Sequence, residues 1–398
     1  MKRLPLLYSL LLVAKSRPTL FAADSGFAAS GYAPRASKGF GRRRCLACPA
    51  AAAETNRWTK IGAITMGNNP GCKTITLIPM IVMMGLLLGI FTTKEYVRAR
   101  GIEYLEKGGQ IERHQAVMDG HAGNPWQYRV LAPFLINVVF AVFKYIQIPH
   151  YIAASFTFFR VIQDTLILLI SYAYYRKLGL SLPHALIGMI LLAWGMSYSH
   201  YESDLQFNTF FDIIFYLLAG LCILQGSFAW IVPITLFAAL NRETSALIPF
   251  LLLSFSMFAL PKGSWRKVIP VFVISLLTYI AVFVGLRLIY GSQELIIPYG
   301  HHPGLDLLQY NLFRPVTWRQ LIATLSFVPI VAIIGYKKWT LQIKIFFWVI
   351  VPIWFTIHAF GAVMAEARLF LVPQAMVFIP GALLTLAQQD VSNELGKL

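Results

Sequence analysis

From residue 74 onward the chain alternates long apolar runs with short polar breaks. The runs fall at about 74–92, 152–175, 184–199, 205–225, 228–240, 244–260, 268–290, 319–336, 342–362 and 368–388. They are continuous rather than alternating, and most approach the ~20 residues that carry a helix across a ~30 Å hydrocarbon layer. The pattern predicts an all-α polytopic transmembrane helix bundle with about 10 spanning helices. One further run, "YRVLAPFLINVVFAVFKYIQIP" (Tyr128 to Pro149), is apolar but has Arg129 at its start, Lys144 near its end and a proline inside. It either crosses or forms one interfacial or re-entrant helix, and that choice sets every later orientation.

Basic residues in short loops mark the cytoplasmic side. Arg176 and Lys177, then Lys262, Arg266 and Lys267, then Lys337, Lys338 and Lys344 all fall on one side if each of the ten runs crosses once. The opposite side then holds "HYESDLQF", the turn at Asn241, the 291–318 loop and "MAEAR". The first long loop, 93–129, mixes both signs of charge and leaves the role of 130–147 open; if that run does not cross, the loop is external.

Within "LFAALNRETSALIPFLLL" (Leu236 to Leu253) Asn241, Arg242 and Glu243 interrupt a stretch too apolar and too long for a single crossing. The expected outcome is two short helices, 228–240 and 244–260, with Asn241 capping the second through its side-chain oxygen and Glu243 in its first turn. Arg242 would then point into a cavity, within a side chain's reach of the Asp119 loop and away from Lys262 and Lys337. Charged groups at membrane depth usually face a cavity or a partner. Arg160 and Asp164 lie four apart and predict an ion pair on one helix face.

Composition agrees with a membrane protein. The chain has 398 residues, 57% hydrophobic and 13% charged, with a mean hydropathy of +0.63. Of the net charge of +17, +9 lies in residues 1–65, where eleven Lys or Arg face only Asp24 and Glu54. The charge is therefore a basic leader plus cytoplasmic loops, and no nucleic-acid partner is implied. That leader combines signal-like and transit-like features, or precedes a true start at Met66, and is expected to carry no fold. The fold is expected over 66–390, with 391–398 a short cytoplasmic tail. Cys45 and Cys48 have zinc spacing without a second pair, and the adjacent His301 and His302 lack helical ligand spacing, so no metal site is expected. No nucleotide-binding phosphate loop and no serine nucleophile elbow occur.

The order of these features resembles the GT-C class of polytopic glycosyltransferases over about 74–388. "VMDGHAGNPWQYRVLAPFL" is similar to that class's first external loop and the membrane-surface helix ending it, with Asp119 at the acidic position. "YYRKLGLS" is similar to its basic cytoplasmic turn, and "YESDLQFNTFFD" to an external turn, matching at Asp204. "AALNRETSAL" matches at Arg242 and Glu243, and "EARLFLVP" at Glu366 and Arg368, with Leu369 where the class usually has tyrosine. The first loop lacks the paired acids of many members, and no soluble carboxy-terminal domain follows.

The resemblance implies no cofactor and transfer of a sugar from a polyprenyl-phosphate donor to a glycan, lipid or protein acceptor. The transfer would occur at the external face of a bacterial inner membrane. Asp119 would be the general base; Arg242 or Arg368 would hold the phosphate, with Glu243, Glu366, Asp204 and Arg129 beside the substrate. Two rival readings are a transporter or flippase of a lipid-linked or polar substrate and a non-catalytic membrane assembly subunit.

Overall fold

In a computed structural model, residues 70–201, 205, 207–261 and 263–395 are described, with side chains between Leu77 and Ala387. The leader 1–65, Asp204 and Lys262 lie outside the described residues. The described chain is helical, and one isolated bridge between Asn124 and Leu295 is its sole extended pairing.

Helix α1 (Pro70–Arg100) is followed by two short helices, α2 (Ile102–Lys107) and α3 (Gly109–Asp119), so the expected 93–129 loop is mostly helical. Then come α4 (Leu131–Tyr145), α5 (Tyr151–Lys177), α6 (Leu182–Tyr198) and α7 (Phe207–Gln225). Next are α8 (Ile231–Asn241), α9 (Leu247–Ala259) and α10 (Trp265–Tyr290). The 291–318 segment contains α11 (Leu305–Phe313) and the start of α12 (Pro315–Leu325). After α13 (Val328–Ile334) and α14 (Leu341–Gly361), a helical run from Ala367 passes through a π turn, Gln374–Phe378, into α15 (Ile379–Leu395). The expected tail at 391–398 is thus helical as far as Leu395.

Among the described residues six helices are long and apolar enough to cross a membrane: Leu77–Arg100, Tyr151–Lys177, Phe207–Gln225, Trp265–Tyr290, Leu341–Gly361 and Ala367–Ala387. This is a multi-pass membrane protein. Of the ten runs expected to cross, six are such helices and a seventh is a bent pair, while those at 184–199, 228–240 and 244–260 form shorter apolar helices. The run expected at 319–336 is two helices, α12 and α13, bent by 73° at Ser326, whose φ of 55° lies in the left-handed region. The run Tyr128 to Pro149 yields α4 of 15 residues, about 22 Å long, too short to span the hydrocarbon layer.

The final helical run is the centre of the bundle: 89% of its membrane-length window is buried, against 11% for α10, which turns Ile274, Leu277 and Leu288 outward. The Tyr174 and Tyr175 hydroxyls of α5 donate to the Met376 and Ala375 carbonyls at 2.9 and 3.1 Å. They thereby partner backbone oxygens in the π turn, where a helix does not fully satisfy its own carbonyls. Between α1 and α5 the backbones approach closely. A Cβ at Gly89 would sit 2.7 Å from Thr165 Oγ1 and 3.2 Å from the Val161 carbonyl, the small-residue packing that membrane helices use in place of a hydrophobic drive.

The predicted pair Arg160–Asp164 forms, with N···O 3.1 Å and both side chains wholly buried. The Arg160 guanidinium packs against the rings of both Phe210 and Tyr96, and its Nη1 donates to the Leu205 carbonyl at 2.8 Å. Gln163 Nε2 donates to the Phe207 carbonyl at 2.9 Å, and the Leu205 N–H donates to Gln110 Oε1 at 2.7 Å. This ion pair is therefore structural: it pins the entrance of α7 to α1, α3 and α5.

Candidate functional site

The break at Asn241 to Glu243 exists, and its chemistry differs from the expected one. Arg242 adopts an extended conformation, φ −162°, ψ 150°, between α8 and the 3-10 turn Glu243–Ala246 that opens α9. Asn241 does not cap the second helix. It is the last residue of α8, and its Nδ2 donates to Asp212 Oδ1 and to the Asn208 carbonyl, both at 2.8 Å. The carboxylate one helix away outcompetes the local backbone for that amide. The turn's own backbone is satisfied from outside: Tyr216 donates to the Thr244 carbonyl at 2.6 Å and Tyr279 to that of Glu243 at 3.0 Å. Glu243 occupies the expected first turn.

Nor does Arg242 point freely into a cavity. It is 5% exposed, and its Nη1 donates to Asp212 Oδ2 at 3.0 Å, the oxygen that also accepts from Thr244 Oγ1 at 3.2 Å. Its Nη2 lies 3.4 Å from His358 Nε2. Since His358 Nδ1 is 2.8 Å from the Trp354 carbonyl, which can only accept, Nδ1 carries the proton and Nε2 is the acceptor for the guanidinium. Two arms of Arg242 are thus committed to α7 and α14.

Glu243 reaches the other way. Its Oε2 accepts from Arg129 Nη2 at 3.0 Å and from Nε at 3.3 Å, which binds the segment after α3 to the turn. Arg129 and Arg113 both approach the Trp126 indole, at 5.1 and 4.8 Å from the ring centroid. These three residues open into a small cleft of about 40 Å³, with His114, Asn208 and α4's Pro133 also in its wall. Its floor is apolar, formed in part by Phe156 and Phe207. His114 is buried, and its Nε2 donates to Asn137 Oδ1 of α4 at 2.8 Å. Burial lowers its pKa below the ordinary histidine value, against the opposing pull of the Asn137 hydrogen bond.

Asp119 ends α3 exposed, with no hydrogen bond or ion pair among the described residues. The loop after it is folded back tightly: Gln127 Nε2 donates to the Val117 carbonyl at 3.0 Å, and the Ala122 N–H donates to Gln127 Oε1 at 2.9 Å. Asp119, Trp126 and Arg129 therefore share one compact loop, whereas no direct contact joins Asp119 to Arg242. Arg368 is 1% exposed, pairs with Glu366 and donates to the Tyr201 carbonyl at 3.4 Å. Trp354 links the two arginine clusters: it stacks on His358 and donates from Nε1 to the Leu369 carbonyl at 2.6 Å. Among the described residues no group of three or more His, Cys, Asp or Glu is placed to hold a metal ion.

The loops separated in sequence thus meet at one end of the bundle, held together by Arg129–Glu243, Asn241–Asp212, Arg368–Tyr201 and the Asn311 amide on the Ala359 and Ala362 carbonyls. Asp212, His358 and Trp126 were missed among the candidates. Asp212 in "FNTFFDIIFYLL" and His358 in "WFTIHAFG" carried a usable signal, because an ionisable residue inside an apolar helix is a functional candidate on energetic grounds alone. No protein-family model, curated protein or solved structure matches this chain.

Proposed function

We propose that the protein transfers a sugar from a lipid-phosphate carrier to an acceptor at the end of the bundle that bears the charge cluster, as the GT-C resemblance implies. The observation that carries the reading is the cleft in which Trp126 lies against two guanidinium groups beside α4, a short apolar helix. An aromatic face suits the apolar face of a sugar ring, and a guanidinium suits a phosphate oxygen pair. An apolar floor beside a membrane-level helix suits the carrier's chain.

In this scheme Arg129 faces the donor phosphate and stabilises the negative charge that grows on it as the glycosidic bond breaks. Arg242, with both arms committed, is a positioning residue: with Asp212 it fixes the turn that presents Glu243, which in turn aims Arg129. Asp119, exposed on the same compact loop, takes the proton of the attacking hydroxyl. Arg368 acts in the same indirect way through the Tyr201 carbonyl. In a ten-crossing arrangement, with the six long helices, the three shorter apolar helices other than α4 and the bent α12–α13 pair crossing while α4 lies in the interface, these loops would share one membrane side.

The test is transfer by the full chain reconstituted with a panel of labelled polyprenyl-phosphate hexoses. Asp119→Asn should lower the rate by about 10²- to 10⁴-fold, the usual share of a general base. Trp126→Ala should raise the apparent KM for the donor. An active wild type whose Asp119→Asn form transfers at full rate removes the base assignment. A wild type that transfers nothing but equilibrates the labelled carrier across the bilayer replaces this reading with transport.

A further inference from the structure

A second opening lies on the outer surface, between α1 and α5, and has no part in the scheme above. It is a crevice of about 400 Å³ lined by Ile90, Thr93, Val97, Thr157 and Val161, with Lys94 and Arg98 at its rim. Its walls are almost wholly apolar. Below it Leu87, Phe91, Phe158, Ile162 and Leu166 are exposed large apolar side chains on the same two helices, continuing an apolar track toward the bilayer centre.

Lys94 and Arg98 are four residues apart on α1, so they lie on one helix face about 6 Å apart along the axis. Both are exposed, and neither has an acidic partner within ion-pair distance among the described residues. Arg113, Arg129, Arg160, Arg242 and Arg368, by contrast, are each engaged with a carboxylate, a carbonyl or an aromatic ring. Glu95 is about 100° round the helix from Lys94 and about 60° from Arg98, yet it forms an ion pair with neither among the described residues. Arg98 is two residues from the end of α1 and Lys94 six, which places the two cations within about 10 Å of the helix end, at the depth of lipid headgroups.

We infer that this crevice holds one anionic glycerophospholipid, its phosphate between Lys94 and Arg98 and an acyl chain along Ile90, Val97 and Val161. The occupant follows from charge complementarity joined to shape: two adjacent uncompensated cations demand an anion, and an apolar track running from them into the bilayer demands that the anion carry a chain. Simple snorkelling of two basic side chains would need neither the crevice nor its position directly beneath both of them. The occupied site would fill the gap beside the α1–α5 contact at Gly89 and Thr165 and so brace α1, whose other end leads from the undescribed residues.

The experiment is native mass spectrometry of the detergent-solubilised full chain incubated with equal amounts of phosphatidylglycerol and phosphatidylcholine. One phosphatidylglycerol should be retained with a preference on the order of 30-fold, the factor that two headgroup-level cations give an anionic over a zwitterionic headgroup. The Lys94→Gln, Arg98→Gln double variant should retain the two lipids near parity. Val161→Trp, which fills the crevice while keeping both cations, should lose the bound lipid altogether. Equal retention of the two lipids by the wild type, or an undiminished preference in the double variant, overturns the inference. So does displacement of the phosphatidylglycerol by inorganic phosphate alone, which would make the chain irrelevant. Both glutamine positions are exposed, so a correctly folded double variant, confirmed by an unchanged size-exclusion profile, is expected.

Discussion

Replacing Asp212 by Asn removes one charge and changes almost no volume, yet it should be among the most damaging single substitutions in the molecule. The carboxylate is 1% exposed and accepts from Arg242, Asn241 and Thr244. Its loss leaves the Arg242 guanidinium, itself 5% exposed, with a neutral histidine and a carboxamide as neighbours. The next carboxylate, Glu243, is already engaged with Arg129. At an effective dielectric of about 20 a charge pair roughly 4 Å apart is worth about 4 kcal/mol. Removing one member of a buried pair costs about 3–5 kcal/mol, because the survivor remains desolvated. The two routes agree, so Asp212→Asn should lose about 4 kcal/mol in equilibrium unfolding from mixed detergent micelles. The double variant Asp212→Leu, Arg242→Met should recover most of that, since no charge is left stranded. A loss below about 1 kcal/mol in the single variant would mean that Arg242 finds water or another anion, and the argument that it is a fully committed positioning residue would fail. A double variant less stable than either single change would refute the stranded-charge explanation.

Other outcomes follow from the same geometry. A double-mutant cycle on Arg129→Gln and Glu243→Gln should show a coupling of about 1 kcal/mol, as expected for a partly exposed hydrogen-bonded pair; additive effects would mean the loop is not anchored there. The folded pKa of His114 lies below its unfolded value, so both states are neutral above about pH 6.5 and its contribution is fully present there. As pH falls from that value toward the folded pKa the unfolded chain takes the proton first, and stability should decline. An unfolding titration would show this decline, and His114→Gln should flatten it. Gly89→Ala should destabilise by about 1–3 kcal/mol, because the new methyl meets Thr165 and backbone atoms of α5 that cannot yield easily; an unchanged unfolding midpoint would show that α1 moves away without penalty.

Several features were legible in the residues alone because each depends on local chemistry. Long uncharged runs admit only helices in a membrane, and a stretch as long as the one around Asn241 has to break where its polar residues stand. The i, i+4 spacing of Arg160 and Asp164 puts them on one face whatever surrounds them. Whether the run at 130–147 crosses was not among these: Arg129 and Lys144 bound it but left both choices open, and the 15-residue length of α4 came from the structure. What the residues alone left undecided was which polar groups would find one another. Asn241 has the chemistry of a helix cap, but Asp212, 29 positions earlier, reaches its amide first. Arg242 has the chemistry of a phosphate ligand, but the same carboxylate and His358 occupy it. The bend at Ser326 had one local signal, Pro329 three residues on, which cannot continue the preceding helix and opens α13 instead. A free donor's or cation's role depends on the nearest unsatisfied acceptor in space, and in a bundle that acceptor sits on another helix. Tertiary packing therefore decided which arginine stays near the cleft and which is locked behind it.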